Sequence, residues 1–189
     1  MKFPNSNFRS PLAMSADDTA LLVVDVQEKL LPFIPNRERL VWNVGRLIDA
    51  ARLLGIPVLA TEQYPKGLGR TTAELAERIG SANIPAKVAF SCAVCVELFE
   101  PLVEKGIRRL LLCGMETHVC VAQTALDLLA QGFDIYVAVD AVAARDELDH
   151  ETALRRLDSA GATLTTVEAT MFEWCRGSDS PQFKQISEL

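Results

Sequence analysis

Short apolar runs alternate along this chain with longer stretches of helical period. Residues 20–26 (ALLVVDV), 56–61 (IPVLAT), 109–113 (RLLLC), 133–139 (FDIYVAV) and 162–167 (ATLTTV) have strand length and are rich in Val, Ile, Leu and Thr. A weaker run covers residues 84–88. The runs are continuous rather than alternating in polarity, which predicts strands buried on both faces, the mark of a parallel sheet. Between the first two, apolar residues recur at Leu40, Val41, Val44, Leu47, Ile48, Ala51 and Leu54, a helical stripe over residues 37–54 closed by Gly55. Similar stripes cover residues 71–79, 94–105, 119–130 and 147–160. Six strands joined by helical crossovers predict an α/β fold. Right-handed crossovers narrow it to a three-layer αβα sandwich around a six-stranded parallel, doubly wound (Rossmann-like) sheet. No repeat, low-complexity tract or break in composition places a linker. Residues 1–189 therefore read as one domain, with 1–18 an irregular arm and 177–189 a tail with room for a short helix.

Composition narrows the chemistry. A chain of 189 residues, 49% of them hydrophobic, removes about 70% of its unfolded surface on folding, enough for a core without staples. Nineteen Lys and Arg against twenty-five Asp and Glu give a net charge of −6, so a phosphate backbone is a poor partner. His118 and His150 are the only imidazoles, too few for a metal centre built on histidine. The five cysteines (Cys92, Cys95, Cys113, Cys120 and Cys175) are odd in number and unevenly spaced. With no secretory apolar segment, they argue against a disulfide framework and for the reducing cytoplasm. No apolar run approaches the roughly 18 residues of a membrane span.

In an open parallel sheet, ligands bind beyond the carboxyl ends of the strands. Three reactive residues fall there: Asp25 after the first apolar run, Lys87 ending the third, and Cys120 in the first turn of the helix after the fourth. Each alone has an ordinary explanation: a helix cap or core ion pair for Asp25, a solvated strand end for Lys87, a small buried hydrophobe for Cys120. Together they form an acid, a cation and a thiol at one end of a sheet. The first and fourth strands are neighbours in a doubly wound order, which sets Asp25 opposite Cys120. A helix N-terminus and a nearby ammonium are expected to lower the pKa of the thiol. Asp25 then accepts its proton, and first-turn N–H groups, including that of Cys120, face a developing oxyanion. The set describes hydrolysis of a carbonyl compound through a thioester.

The segments LLVVDVQ, K-x-x-F-S from Lys87 to Ser91, and G-x-E-T-H-V-C-V followed by Q-T-A-L-D identify a resemblance to the isochorismatase-like cysteine hydrolases. It runs from about residue 20 to the tail. The loop TEQYPKGLG (residues 61–69) brings the chain nearest to the isochorismatase-domain-containing branch. The resemblance implies a catalytic set at Asp25, Lys87 and Cys120, and an oxyanion hole from the N–H groups of Glu116 and Cys120. It also implies a cis peptide between Met115 and Glu116, and a homo-oligomer, either dimer or tetramer. If Thr117 caps the helix, its hydroxyl competes for the Cys120 N–H. Gln27, Tyr64, Phe90 and Thr117 are the candidate substrate contacts.

The pattern also departs from its relatives. Nicotinamidases of the superfamily carry an Asp-x-His metal element where this chain reads Thr61-Glu62-Gln63-Tyr64. No metal and no cofactor are expected, and nicotinamide loses ground as substrate. True isochorismatases cleave a vinyl ether without a cysteine nucleophile, so Cys120 points to acyl chemistry. The expectation is a metal-independent hydrolase of a small amide, ureide or related carbonyl compound. The alternative is an interaction or scaffold protein that keeps the fold and has lost efficient turnover. Cys92-Ala-Val-Cys95 has the C-x-x-C spacing of a redox pair but lacks the setting, directly after an early strand, that such a motif has in thioredoxin-like folds. His118 points about 200° away from Cys120 on a helix, which makes it a poor partner base.

Overall fold

The computed structural model describes residues 9–80 and 84–189. Six strands, β1 (Thr19–Val24), β2 (Val58–Gln63), β3 (Ala86–Lys87), β4 (Arg109–Met115), β5 (Asp134–Ala143) and β6 (Thr163–Thr165), make one sheet. They lie in the order β3-β2-β1-β4-β5-β6, and every pairing is parallel. The order reverses between β1 and β4, the adjacent strands that carry Asp25 and Cys120 at their ends.

Period-two alternation divides the core. Leu21 and Val23 of β1 join one apolar cluster with α1 (Arg37–Leu53) and α7 (Val167–Cys175). Ala20, Leu22 and Val24 join the other, with α4 (Val96–Glu104), α5 (Ala122–Ala130) and α6 (Glu147–Ser159). A strand covered on both sides has no polar face, which is why its sequence runs apolar without a break.

The boundaries differ from the sequence reading where special backbone intervenes. β1 ends at Val24 because Asp25 takes a left-handed conformation with φ 53°. The expected strand over 162–167 is cut short at Thr165. Thr166 then caps α7, its hydroxyl accepting from the Ala169 N–H at 3.4 Å. A run of β-branched residues thus concealed a cap, and with it a whole helix. Two further short helices, α2 (Pro65–Leu68) and α8 (Phe183–Ser187), flank α3 (Ala73–Ile79) and close the tail respectively. Residues 9–18 form turns, and the part of the expected arm over residues 1–8 lies outside the described residues. Among the described residues, no helix is long and apolar enough to cross a membrane.

Candidate active site

Asp25 and Lys87 meet across β2. Lys87 Nζ donates to Asp25 Oδ2 at 2.7 Å, to Gln63 Oε1 at 2.9 Å and to the Phe90 carbonyl at 2.9 Å. The other carboxylate oxygen, Oδ1, accepts from the Thr61 hydroxyl at 2.8 Å. The side chains of Lys87 and Asp25 are 0% and 2% exposed. A buried ion pair is favourable only when its remaining donors and acceptors are satisfied, and here they are.

Cys120 lies in a short turn, Thr117–Val121, with π-type spacing, inserted between β4 and α5. Such a turn widens the helical backbone locally and is common at functional sites. Glu116 enters it in the left-handed region, φ 60° and ψ 62°, and its carbonyl accepts from Val119 N–H at 2.9 Å and Val121 N–H at 3.3 Å. The resemblance implied a cis bond before Glu116. No cis peptide occurs among the described residues, and the left-handed Glu116 makes the turn instead. Just upstream, Gly114 has φ 130° and stands opposite Val24. A Cβ at Gly114 would drive into the Val24 backbone. The absent side chain lets β4 approach β1 closely, where the pairing of β4 with β5 also shifts register between Leu112 and Gly114.

The thiol behaves otherwise than the sequence suggested. Burial pushes the Cys120 pKa up from its ordinary 9.0. The Asp25 carboxylate adds to this by its charge and as a hydrogen-bond acceptor, against a smaller opposing pull from Lys87. The ammonium is neutralised by its own carboxylate, so the thiol is held protonated beside Asp25.

The other residues singled out from sequence divide. Gln27 is fully buried, with Nε2 donating to the Gln63 and Gly69 carbonyls and Oε1 accepting from Gln63 N–H at 2.7 Å. Its amide braces the loop after β2 and is not presented to a ligand. Thr117 is also fully buried, and its Oγ1 bonds His150 Nδ1 at 2.9 Å. It therefore does not cap the Cys120 N–H. Among the described residues, neither the Glu116 nor the Cys120 N–H bonds a partner outside the turn. Tyr64 and Phe90 are 52% and 51% exposed. Both adjoin Lys87, Tyr64 through its N–H to the Lys87 carbonyl at 2.8 Å. A cleft of about 390 Å³ reaches His150, but none of Asp25, Lys87 and Cys120 lines it.

Sequence reading missed Thr61, Gln63 and Cys92. Thr61 and Gln63 share a parity on β2, and that spacing was the available signal. Cys92 is free, as are the other four cysteines. Its Sγ lies 3.2 Å from Thr61 Oγ1, and burial pushes its pKa up to about 11.

The metal element of some relatives finds no counterpart. Glu62 Oε1 accepts from the Thr71 N–H at 2.7 Å and hydroxyl at 3.0 Å, and Oε2 accepts from Arg70 at 2.9 Å. Among the described residues, no group of three or more His, Cys, Asp or Glu is placed to hold a metal ion. These residues do not fit such a centre.

The family model for the isochorismatase domain matches residues 19–169. The chain belongs to the isochorismatase family. It is 37% identical over 177 residues to isochorismatase domain-containing protein 1 of Danio rerio, covering 93% of this chain but only 62% of that protein. Among solved structures, it resembles the MAR1 ribonuclease of Caenorhabditis elegans (42% identity, TM-score 0.86, 93% of this chain and 91% of that one). It also resembles the YcaC gene product of Escherichia coli, described as an octameric hydrolase of unknown specificity (29% identity, TM-score 0.80, 90% and 85% coverage).

Proposed function

We propose that this isochorismatase-family protein is a metal-independent cysteine hydrolase of a small amide, ureide or related carbonyl compound. One observation carries the reading: a buried thiol sits within hydrogen-bonding reach of a carboxylate that a buried lysine already holds at 2.7 Å. On attack, Asp25 takes the Cys120 proton as Sγ bonds to the carbonyl carbon. Lys87 keeps the carboxylate fixed, and the N–H groups of Glu116 and Cys120 receive the oxyanion. Asp25 then returns the proton to the leaving nitrogen, the C–N bond breaks, and a thioester remains. Water attacks it, Asp25 takes the water proton, and Cys120 leaves as the thiol. Tyr64 and Phe90, half exposed beside Lys87, are the substrate contacts.

The ribonuclease name belongs to the nematode relative. A net charge of −6 offers a phosphate backbone little attraction. A scaffold protein of this fold would have no use for a buried ion pair next to a buried thiol. A homo-oligomer and a cytoplasmic setting, with every cysteine unbridged, complete the proposal. The test is a panel of small amides and ureides with an RNA control. Wild-type turnover of an amide that Cys120→Ala lacks is the expected result. Turnover unchanged in Cys120→Ala, or confined to RNA, contradicts it.

A further inference from the structure

Three successive residues of the nucleophile's turn are tied to one place. The Glu116 carboxylate accepts from Arg145, Nε to Oε1 at 3.2 Å and Nη2 to Oε2 at 3.0 Å. Thr117 Oγ1 bonds His150 Nδ1 at 2.9 Å, and His118 Nε2 stands 3.6 Å from Asp149 Oδ2. Arg145, Asp149 and His150 all belong to the start of α6 or the residues just before it, where Asp146 caps the helix by accepting from the Leu148 and Asp149 N–H groups. Among the described residues, none of these hydrogen-bonds the Asp25–Lys87 pair.

We infer that the amino-terminal segment of α6 positions the oxyanion-binding turn, with Arg145 and His150 as its positioning residues. This rests on the reading of Cys120 as an acyl-transfer nucleophile. Two effects follow from the contacts. Glu116 is buried and left-handed, a conformation that a non-glycine residue keeps only when its surroundings hold it. Arg145 supplies that hold through a paired contact from a side chain that is itself 55% exposed. His150, meanwhile, occupies the Thr117 hydroxyl. Thr117 lies three residues before Cys120, the spacing at which a hydroxyl caps a backbone N–H. Engaged by His150, the hydroxyl leaves the Cys120 N–H free for the oxyanion. The segment thus both fixes one proposed donor and keeps the other unoccupied.

The test compares two reactions of the full-length protein at the same sulfur. Alkylation by iodoacetamide displaces iodide and forms no oxyanion, whereas acylation by p-nitrophenyl acetate passes through one. Arg145→Ala and His150→Ala are expected to slow p-nitrophenolate release by about ten- to a hundredfold. Alkylation of Cys120 should stay within about twofold of wild type, since only the oxyanion donors are disturbed. Adding Thr117→Val to His150→Ala should recover much of the lost rate, a rescue that a purely structural role for His150 does not predict. Hydrogen exchange gives an activity-independent readout: the amides of residues 116–119 should exchange faster in Arg145→Ala, and the Cys120 amide more slowly in His150→Ala, where the released hydroxyl bonds it, with β1 unchanged. The inference is overturned if either variant acylates at the wild-type rate, if both reactions slow in parallel, or if exchange at 116–120 is unaltered. Release that persists in Cys120→Ala instead overturns the functional reading on which the inference stands.

Discussion

The two halves of the site are held in opposite ways. Asp25 and Lys87 sit at the ends of β1 and β3, buried, each bonded to Thr61, Gln63 or a loop carbonyl. The Cys120 turn, between β4 and α5, is held by Arg145, which is 55% exposed, and by Asp149, which is 56% exposed. One half is an electrostatic fixture in a low-dielectric interior, where losing a partner leaves a stranded charge. The other is a strained loop retained by contacts open to water, which are individually weaker and adjustable. A hydrolase has use for both: a base that must not move, and donors that must meet an oxygen whose position changes during reaction.

Substitutions should separate the halves. Lys87→Met leaves the Asp25 carboxylate buried without its cation and should cost about 3–5 kcal/mol of stability by denaturant unfolding. A loss below about 1 kcal/mol would mean that the interior is wetter than described. Asp25→Asn should abolish acyl transfer and yet speed alkylation of Cys120. It removes an anion that raises the thiol pKa and frees Lys87 to lower it. In wild type, the alkylation rate should keep rising above the ordinary 9.0 of a thiol, and in Asp25→Asn its inflection should move down. The sign for stability is also set. The folded thiol holds its proton longer than the unfolded one, so its contribution is intact below about pH 9 and is lost as pH rises further.

Smaller effects fall at the seam and in the exposed half. Gly114→Ala should cost about 2 kcal/mol or more, because φ 130° and the Val24 backbone both exclude a Cβ. It should also reduce acyl transfer, since Gly114 sets the approach of the two halves. Asp146→Ala removes the cap of α6 and should cost about 1 kcal/mol. Its trace should be faster hydrogen exchange at the start of α6 and at residues 116–120, with the Asp25–Lys87 side unaffected.

The same division marks what the sequence made legible. Asp25 and Lys87 were visible because a charge after an apolar run on a buried strand needs a partner, and the strand order supplies one. The sheet itself followed from uninterrupted apolar runs. The geometry of the Cys120 turn was not legible. Nothing in Met115-Glu116-Thr117 separates a left-handed Glu116 from a cis peptide, and the Arg145 and His150 contacts come from the start of α6 and the residues just before it, about thirty residues on. The direction of the thiol shift was misjudged for a related reason. A lysine near a thiol lowers its pKa only if its charge is available, and burial together with Asp25 decides that it is not. The helix over Val167–Cys175 was hidden by threonines that suit both a strand and a cap.

In the proposed reaction Cys120 attacks and carries the acyl group while Asp25 handles its proton. Mass spectrometry of peptides from protein quenched during turnover of p-nitrophenyl acetate tests it most directly. An acetyl thioester on Cys120 is expected, absent from Cys120→Ala and sharply reduced in Asp25→Asn. An acetyl group on Cys92 or Cys95 instead, or steady turnover with no acyl-enzyme and no loss in Cys120→Ala, would contradict it.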